Sequence, residues 1–581
     1  MSQPRLGPVL VDPAALRVES RAIGALPVVN AVLARLGFDE LVASYLPEPD
    51  QRCKLEPARA IGVLVRNLAI GRQPLYGLSA WAGRYGSALL GLSDGEARLL
   101  NDDRVGRALD ELFSSDRASL LTALSLRAIR RYGIDVSELH NDSTSITLYG
   151  AYRDATGTAR AGVAPPVPER GFSKDHRGDL KQLVEILTIS SDGAVPIAHR
   201  LADGSTEDST THIATWDQLA SMLHTTAFLY TADCKLATRD NMEHIAGQGG
   251  RFLTILPRSR KEDEVGRAWI AAGEVTWEEV ARKPGKRKGD PDEVYWAAEA
   301  PSCSAEGYRI VWIRSSDKRC HDAAIRSDRI DRARIAVGEL DERLRSKRSR
   351  LRTQSAVEEA VAAILTETGT GRWVKVTVTD TVDYEHRQEK RGRPGKDTRY
   401  RRIAHHRFSV TAHVEKEAVA YDAASDGCFP FVTNDTRTPA ELLRTYKFQP
   451  SLERRHATFK GVIEAAPLTL KSDARLDALA FCLYVALLVH ALVERDLRRA
   501  MAAKGIASLP MYHEGRSCTA PTAARVFELL EPLSVTGVLH DGKLLAISPP
   551  EPDALQRQIL SLLKVPLRSY GIEKQPPRYS G

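Results

Sequence analysis

The chain is poor in cysteine. It has seven among 581 residues, Cys53, Cys234, Cys303, Cys320, Cys428, Cys482 and Cys518, odd in number, scattered, and never in a CxxC pair. That argues against a disulfide framework and a structural zinc site, and it suits a reducing cytoplasm. The opening residues MSQPRLGPVLVDP have no basic stretch followed by a long apolar run, so they are not expected to act as a secretory signal. Long hydrophobic runs are scarce. The one that reaches spanning length, Leu476 to Val493, carries Asp477 and His490, so a buried core helix is expected and a membrane is not. Charge of one sign is not strongly in excess: 82 Lys and Arg against 75 Asp and Glu leave +7. Such a balance points to a polyanionic partner only where it is clustered.

What is present describes a folding chain. Hydrophobic residues make up 43% and charged residues 27%, too apolar for disorder throughout. At roughly 150 residues per domain the length allows about four domains, or two or three large ones.

From about Pro27 to Tyr132 the pattern is helical: Pro27 opens one stretch, Gly37 closes it, Pro57 opens another, and Asn101 caps the run through Phe113. After Gly133 come short β-type runs, Asp135 to Asn141, Ser145 to Tyr149, Leu183 to Ser190 and Ala194 to His199, with Ser191-Asp192-Gly193 as a hairpin turn. A helix near Thr211 to Leu223, a strand Ala227 to Ala232, a helix around Asn241 and a strand Phe252 to Leu256 follow. Strands that meander and then alternate with helices predict a mixed α/β sheet.

The stretch from about Arg258 to Asp435 breaks that alternation. It has a basic turn at residues 283–288, β-like runs at Tyr308 to Arg314, Trp373 to Val378 and His406 to Val414, and one long helix. Ile330, Ala333, Val337, Leu340, Leu344 and Leu351 keep a single-seam spacing in that helix, and its far face carries Arg343, Arg345, Lys347, Arg348, Arg350 and Arg352. Between His386 and Arg402 stand eight basic and two acidic residues, a local +6 that is nearly the whole chain's excess. One such run reads as a solvated loop; several in one insert favour a phosphate-backbone surface. From Thr438-Pro439-Ala440-Glu441, a capping box with Pro at the first helical position, helices return.

Three acids stand out by context. Asp142 ends the apolar run that begins at Leu139, and Asp233 ends the one that begins at Phe228. Ligand sites in α/β sheets favour strand ends, and carboxylates on neighbouring strands can share divalent ions; alone, either Asp reads first as a turn or cap residue. Glu453 falls in the first turn of a helix started by Pro450, with Lys460 seven residues on along the same face. That pair suits a metal and a phosphate, or else unrelated surface charges. Asp208 is a nearby acid outside this set.

The order Asp142, Asp233, Glu453, with Tyr446, Glu453 and Lys460 in a Tyr-x2-Arg-x3-Glu-x6-Lys pattern, resembles the DDE transposases of bacterial insertion sequences in the YREK-motif group. Gln449 stands at the pattern's Arg position, where a neutral amide cannot reproduce a bidentate guanidinium; Arg444, Lys447 and Arg454 are the nearby cations. Residues 171–182 (GFSKDHRGDLKQ), residues 426–435 (DGCFPFVTND) and the apolar helix after Glu453 add to the resemblance, which covers roughly Leu139 to Arg498. The 91 residues from Asp142 to Asp233 and 220 from Asp233 to Glu453 require an insertion in an RNase H-like sheet, and the family carries a β-rich one at that place.

The resemblance implies an enzyme that cleaves and joins DNA strands, with Asp142, Asp233 and Glu453 as catalytic residues and ligands of two Mg²⁺ ions, for which Mn²⁺ is a possible substitute. Tyr446, Gln449 and Lys460 would meet DNA phosphate. Its partners would be terminal inverted repeats, target DNA and a second copy in a synaptic homodimer, in a bacterial cytoplasm. The alternatives are a catalytically inactive DNA-binding derivative and a phosphohydrolase of small substrates. The expected organisation is a helical N-terminal domain (1–132) for DNA ends, whose contacts would come from the stretches Arg59 to Arg72 and Arg104 to Arg131 or else are solvated helix faces. A catalytic core (133–257 and 436–503) surrounds a basic β-rich insertion (258–435), and a C-terminal region spans 504–581. Trp269, Trp277, Trp296, Trp312 and Trp373 lie in the insertion; core packing is the first reading of most of them, while the resemblance implies that one insertion aromatic, among these or Phe429 or Phe431, stacks on a displaced base.

Overall fold

The computed structural model describes residues 16–48, 52–285, 287, 289–346, 349–465, 470–512, 514–541 and 543–572. The N-terminal segment, Lys286, Lys288, Lys347 and Arg348 lie outside the described residues. Helix accounts for 45% and strand for 22%, so the class is mixed α/β. The chain divides into two compact units, Met1–Leu253 with Arg444–Gly581, and Thr254–Leu443.

The first unit opens with a strand that lies outside the expected helical pattern, β1 (Leu16–Ala22), and continues as helices. These are α1 (Leu26–Leu36), α2 (Phe38–Tyr45), α3 (Pro57–Ile70), the short α4 (Leu78–Ala82), α5 (Asp102–Ser114) and α6 (Arg117–Tyr132). The punctuation acts as expected: Pro27 lies in the first turn of α1, Gly37 ends it in the left-handed conformation, and the Asn101 side chain accepts from the Arg104 N–H at 2.9 Å.

The sheet of this unit is ordered β4-β3-β2-β5-β6. Its strands are β2 (Glu138–Leu148), β3 (Lys181–Ser190), β4 (Pro196–Ala202), β5 (Leu229–Thr231) and β6 (Arg251–Ile255), with α7 (His212–Leu223) and α8 (Arg239–Gly247) between the last three. β2, β3 and β4 pair antiparallel, while β2, β5 and β6 pair parallel. The two runs expected on either side of residues 142–144 are one continuous strand, β2. Ser and Thr side chains between them extend the ladder as well as apolar ones do.

The second unit holds α9 (Lys261–Ala271), β7 (Glu278–Lys283), β8 (Glu293–Glu299), β9 (Arg309–Ser315), α10 (Ser316–Arg345), α11 (Gln354–Thr368), β10 (Val374–Gln388), β11 (Tyr400–Val414), α12 (Lys416–Ala424) and β12 (Cys428–Thr433). The expected β-rich insertion is therefore helical as much as it is sheet. The long helix stops at Arg345, short of Leu351, yet Leu344 and Leu351 both pack on a core of Val337, Leu340, Val357, Val361, Phe408 and Val410. A bidentate pair between Arg326 and Asp426, 2.6 Å at each nitrogen, ties α10 to the turn before β12.

Past α13 (Pro439–Tyr446) the first unit resumes with α14 (Gln449–Ala465) and α15 (Asp473–Ala503). The Thr438 capping box forms as the sequence predicts, with Glu441 accepting from the Thr438 N–H at 2.9 Å. β13 (Leu509–Pro510), β14 (Ser517–Cys518), α16 (Ala523–Leu530), β15 (Ser534–His540), β16 (Lys543–Ser548) and α17 (Ala554–Leu562) complete it, and β15 pairs with β1. α15 is the one described helix long and apolar enough to cross a membrane, and 94% of its apolar window is buried inside the fold. Its two sequence oddities are satisfied there: Asp477 pairs with Arg117 at 2.7 Å, and the His490 ring nitrogen meets the Ala69 carbonyl at 2.7 Å. All seven cysteines are free thiols.

Candidate active site

The register of two parallel strands assembles the first two acids. His140 of β2 pairs with Thr231 of β5. Asp142 and Asp233 are each two residues further on, so the two-residue side-chain period puts both on the same face at the same end of that pairing, on strands about 4.8 Å apart. β5 ends before Asp233, as expected, whereas Asp142 is mid-strand, opposite Leu187 of β3. Burial, and then the negative charge of Asp142, hold the Asp233 carboxyl above the usual carboxylate range.

The third acid sits on α14, whose buried stripe is Leu452, Arg455, His456 and Phe459. That i, i+3, i+4, i+7 spacing is one helix face. Arg455 donates to the Ala194 carbonyl at 2.8 Å and pairs with Glu494 at 3.0 Å, and His456 meets the fully buried Glu185 of β3 at 3.1 Å. Gly193, at φ +82° in the β3–β4 turn, offers its carbonyl to the same guanidinium at 3.1 Å. These contacts fix the helix, and Glu453 is exposed on it. Tyr446, at the end of α13, is where the three acids meet electrostatically: its hydroxyl is pushed well above the ordinary phenol range by burial and then by the charges of Asp233, Cys234, Asp142 and Glu453. Among the described residues, no three His, Cys, Asp or Glu side chains are gathered closely enough to hold one metal ion.

Two residues of the site were not among the expected catalytic ones. Lys174, from the GFSKDHR stretch, reaches Asp142 at 3.4 Å and Asp208 at 3.2 Å, and it also donates to the Ser143 carbonyl. Asp208 accepts from the Ser143 hydroxyl at 2.5 Å. Sequence context sets Asp208 apart from the catalytic acids; the structure makes it a neighbour of Asp142 through a shared ammonium. Burial opposes the Lys174 charge, but Asp142 and Asp208 outweigh it, and the ammonium is held above the ordinary lysine range. Its loop is anchored by close backbone approach, since a Cβ on Gly171 would lie 2.1 Å from the Gly204 carbonyl oxygen. Gln182, buried, donates to that carbonyl at 2.8 Å and to the Phe172 carbonyl at 3.2 Å.

The remaining expected residues are placed differently from each other. Lys460 pairs with Asp175 of the same loop at 2.8 Å. Gln449 has a buried side-chain carbonyl with no hydrogen-bond partner. Several arginines expected as N-terminal phosphate contacts have partners within the fold: Arg59 pairs with Glu96, Arg66 with Asp39 and Arg117 with Asp477, while Arg127 donates to the Leu36 and Gly37 carbonyls. Of the insertion aromatics, Trp312 and Phe431 are core residues, Trp373 donates to Asp422 at 2.6 Å, and Trp277 and Trp296 lie against the Arg314 guanidinium. Phe172, beside Lys174 and 90% exposed, is the ring most open to solvent among the described residues.

A family model described as "Domain of unknown function (DUF4277)" matches residues 18–126. No curated protein matches the chain. Among solved structures, a piggyBac transposase in a synaptic complex with hairpin DNA is similar at 10% identity and a TM-score of 0.28. That match covers 51% of this chain and 63% of the other. At this level the likeness carries no argument, and the functional reading rests on the site itself.

Proposed function

We propose that the chain is a DDE transposase that cleaves and joins DNA at insertion-sequence ends in a bacterial cytoplasm, with Asp142, Asp233 and Glu453 as its catalytic acids. The observation that carries this reading is the parallel register that sets Asp142 beside Asp233. Carboxylate oxygens are donors for a hard divalent cation, and the mutual repulsion of Asp142 and Asp233 is what such a cation relieves. Asp142, Asp233 and Glu453 would hold two Mg²⁺ ions. When bound, the pair supplies an activated hydroxyl and stabilises the leaving oxygen of an in-line displacement at phosphorus.

The chain's own residues do the rest. Burial and the neighbouring acids keep Tyr446 protonated, so it is a hydrogen-bond donor to a phosphate oxygen. Lys174 offsets the charge of Asp142 and Asp208. Lys460, paired with Asp175, exchanges that carboxylate for a phosphate when DNA binds.

The test is strand cleavage and strand transfer on transposon-end DNA by Asp142→Asn, Asp233→Asn and Glu453→Gln in Mg²⁺ or Mn²⁺. Each substitution preserves side-chain shape. We expect folded proteins with parental DNA affinity and turnover lower by at least ~10³-fold, as loss of a group stabilising the transition state gives. A folded Glu453→Gln protein that cuts at the parent rate would sink the mechanism and leave a DNA-binding derivative as the better description.

A further inference from the structure

The antiparallel ribbon of β10 and β11 has two halves of different character. In the near half Val376, Val378, Phe408, Val410 and Ala412 pack on the core that α10 and α11 share. In the far half, from the pair Val382 and His406 to the pair Gln388 and Tyr400, the same face continues with no apolar cover. Tyr384 and Tyr400 stand there 52% and 50% exposed, with the Arg402 guanidinium 3.4 Å from the centre of the Tyr384 ring. On the opposite face Arg387 is directly across from Arg401.

Like charges placed across from each other destabilise a ribbon by roughly 0.2–1 kcal/mol, and two strands alone are marginal in water. The ion pairs of Arg407 with Asp383 and Lys375 with Glu415, and the contacts of His406 with Asp380 and His405 with Glu385, all lie on the helix side of His386. Among the described residues, none of the eight basic side chains from Arg387 to Arg402 has a carboxylate partner. Arg387, Arg401 and Arg402 stand on the strands and the other five basic residues in the loop that joins them, so an excess close to the chain's whole net charge sits at this end of the ribbon. A polyanion would relieve that self-repulsion at many points at once.

We infer that the far half of this ribbon and its tip form an arm that lies in a groove of duplex DNA. Its arginines and lysines meet the phosphates, and Tyr384 and Tyr400 lie against sugars and base edges. A two-stranded ribbon fits the major groove, which is about 12 Å wide, and the seven residues from Val382 to Gln388 extend about 20 Å at the usual strand rise. The inference rests on the DNA reading above and adds to it a surface, a groove and a mode of contact.

The experiment is fluorescence anisotropy of the full chain on a random-sequence duplex across a range of KCl concentrations. Wild type is compared with a variant carrying Arg387→Gln, Arg401→Gln and Arg402→Gln. All three side chains are exposed, so the melting temperature should hold. Each phosphate that the protein no longer neutralises makes the slope of log affinity against log salt shallower by about 0.9; we expect a change of about 2 to 3, with affinity at low salt at least ~10-fold weaker. An unchanged slope and affinity would overturn the arm. So would an unchanged slope with an altered oligomeric state by light scattering, which makes the ribbon a self-association surface. Equal weakening on duplex and on single strands would overturn the groove placement. Wild type that binds no duplex at any salt would remove the DNA reading itself and the arm with it.

Discussion

The acid site of the first unit and the basic ribbon of the second both concentrate one sign of charge, and they deal with it in opposite ways. Asp142 and Asp208 share Lys174, which is held by an anchored loop, and α14, the helix bearing Glu453, is fixed by the buried Arg455–Glu494 ion pair and the buried contact of His456 with Glu185. The far half of the ribbon leaves Arg387, Arg401 and Arg402 exposed to water, beyond the stretch that packs on the core of α10 and α11. Positioned, internally offset charge suits chemistry that needs geometry within fractions of an ångström. Exposed, uncompensated charge suits a partner that is itself a long polyanion, where the number of contacts matters more than the placement of any one.

The largest effect that sharpens this comparison lies at Lys174 and Asp208. If Lys174 offsets the acids in place, Lys174→Met leaves Asp142 and Asp208 facing each other without their shared ammonium. We expect strand cleavage to fall ~10- to 100-fold for Lys174→Met and by a similar factor for Asp208→Asn, less than for the three catalytic acids. DNA affinity at the ribbon should not move. Isothermal titration with Mn²⁺ gives a readout independent of turnover: loss of the ammonium should change the apparent Mn²⁺ affinity. Cleavage at the parent rate by Asp208→Asn would return that residue to the bystander role its sequence context suggests.

That result bears on how much the sequence discloses. That Asp233 follows a strand, that Glu453 lies in the first turns of a helix and that Leu476 to Val493 is buried are legible, because periodicity and caps are local signals, whereas Asp142, expected at a strand end, lies mid-strand. The fusion of two expected runs into β2 is less so, since polar Asp142, Ser143 and Thr144 hide a strand whose ladder needs only backbone. Asp208 is hidden for a different reason. It enters the site through Lys174, 34 positions earlier in the chain, and nothing local announces a pairing made by a folded loop. The GFSKDHR stretch is the available signal, and its lysine is the residue to follow. The burial of Trp312 and Phe431 is likewise set by tertiary packing, which composition does not disclose.

An acid titration tests the comparison at the level of stability. Burial pushes His140 and His490 of the first unit down to about 4, whereas His405 and His406 of the ribbon sit at the surface beside carboxylates. A folded-state value below the ordinary one, near 6.5, means that the unfolded chain binds the proton first. The stability of the neutral, buried form is thus complete above pH ~6.5 and is lost as pH falls toward 4, by up to roughly 3 kcal/mol for each such histidine. Hydrogen exchange followed from pH 7 to pH 5 should show α3 and α15, joined by the His490 contact to Ala69, losing protection before the helix-backed half of the ribbon. His490→Gln should flatten part of the pH dependence of the melting temperature. Earlier loss at the ribbon base would contradict the assignment of acid sensitivity to the first unit.

The smallest expected effect concerns Gln449, where the motif's arginine is absent. Its side-chain carbonyl is buried with no partner, and an unsatisfied acceptor of that kind costs about 1–3 kcal/mol. A group in that position is poorly suited to phosphate, which needs a donor at the surface rather than an acceptor inside. Gln449→Met keeps the length and removes the orphan, so we expect a melting temperature equal to or a few degrees above the parent, with cleavage within about threefold. If Gln449 instead serves phosphate through its amide nitrogen, the same substitution should weaken binding to transposon-end DNA and reduce cleavage by ~10-fold or more. Measuring melting and end binding on the one variant separates the two, because a packing role moves the first and a phosphate role moves the second.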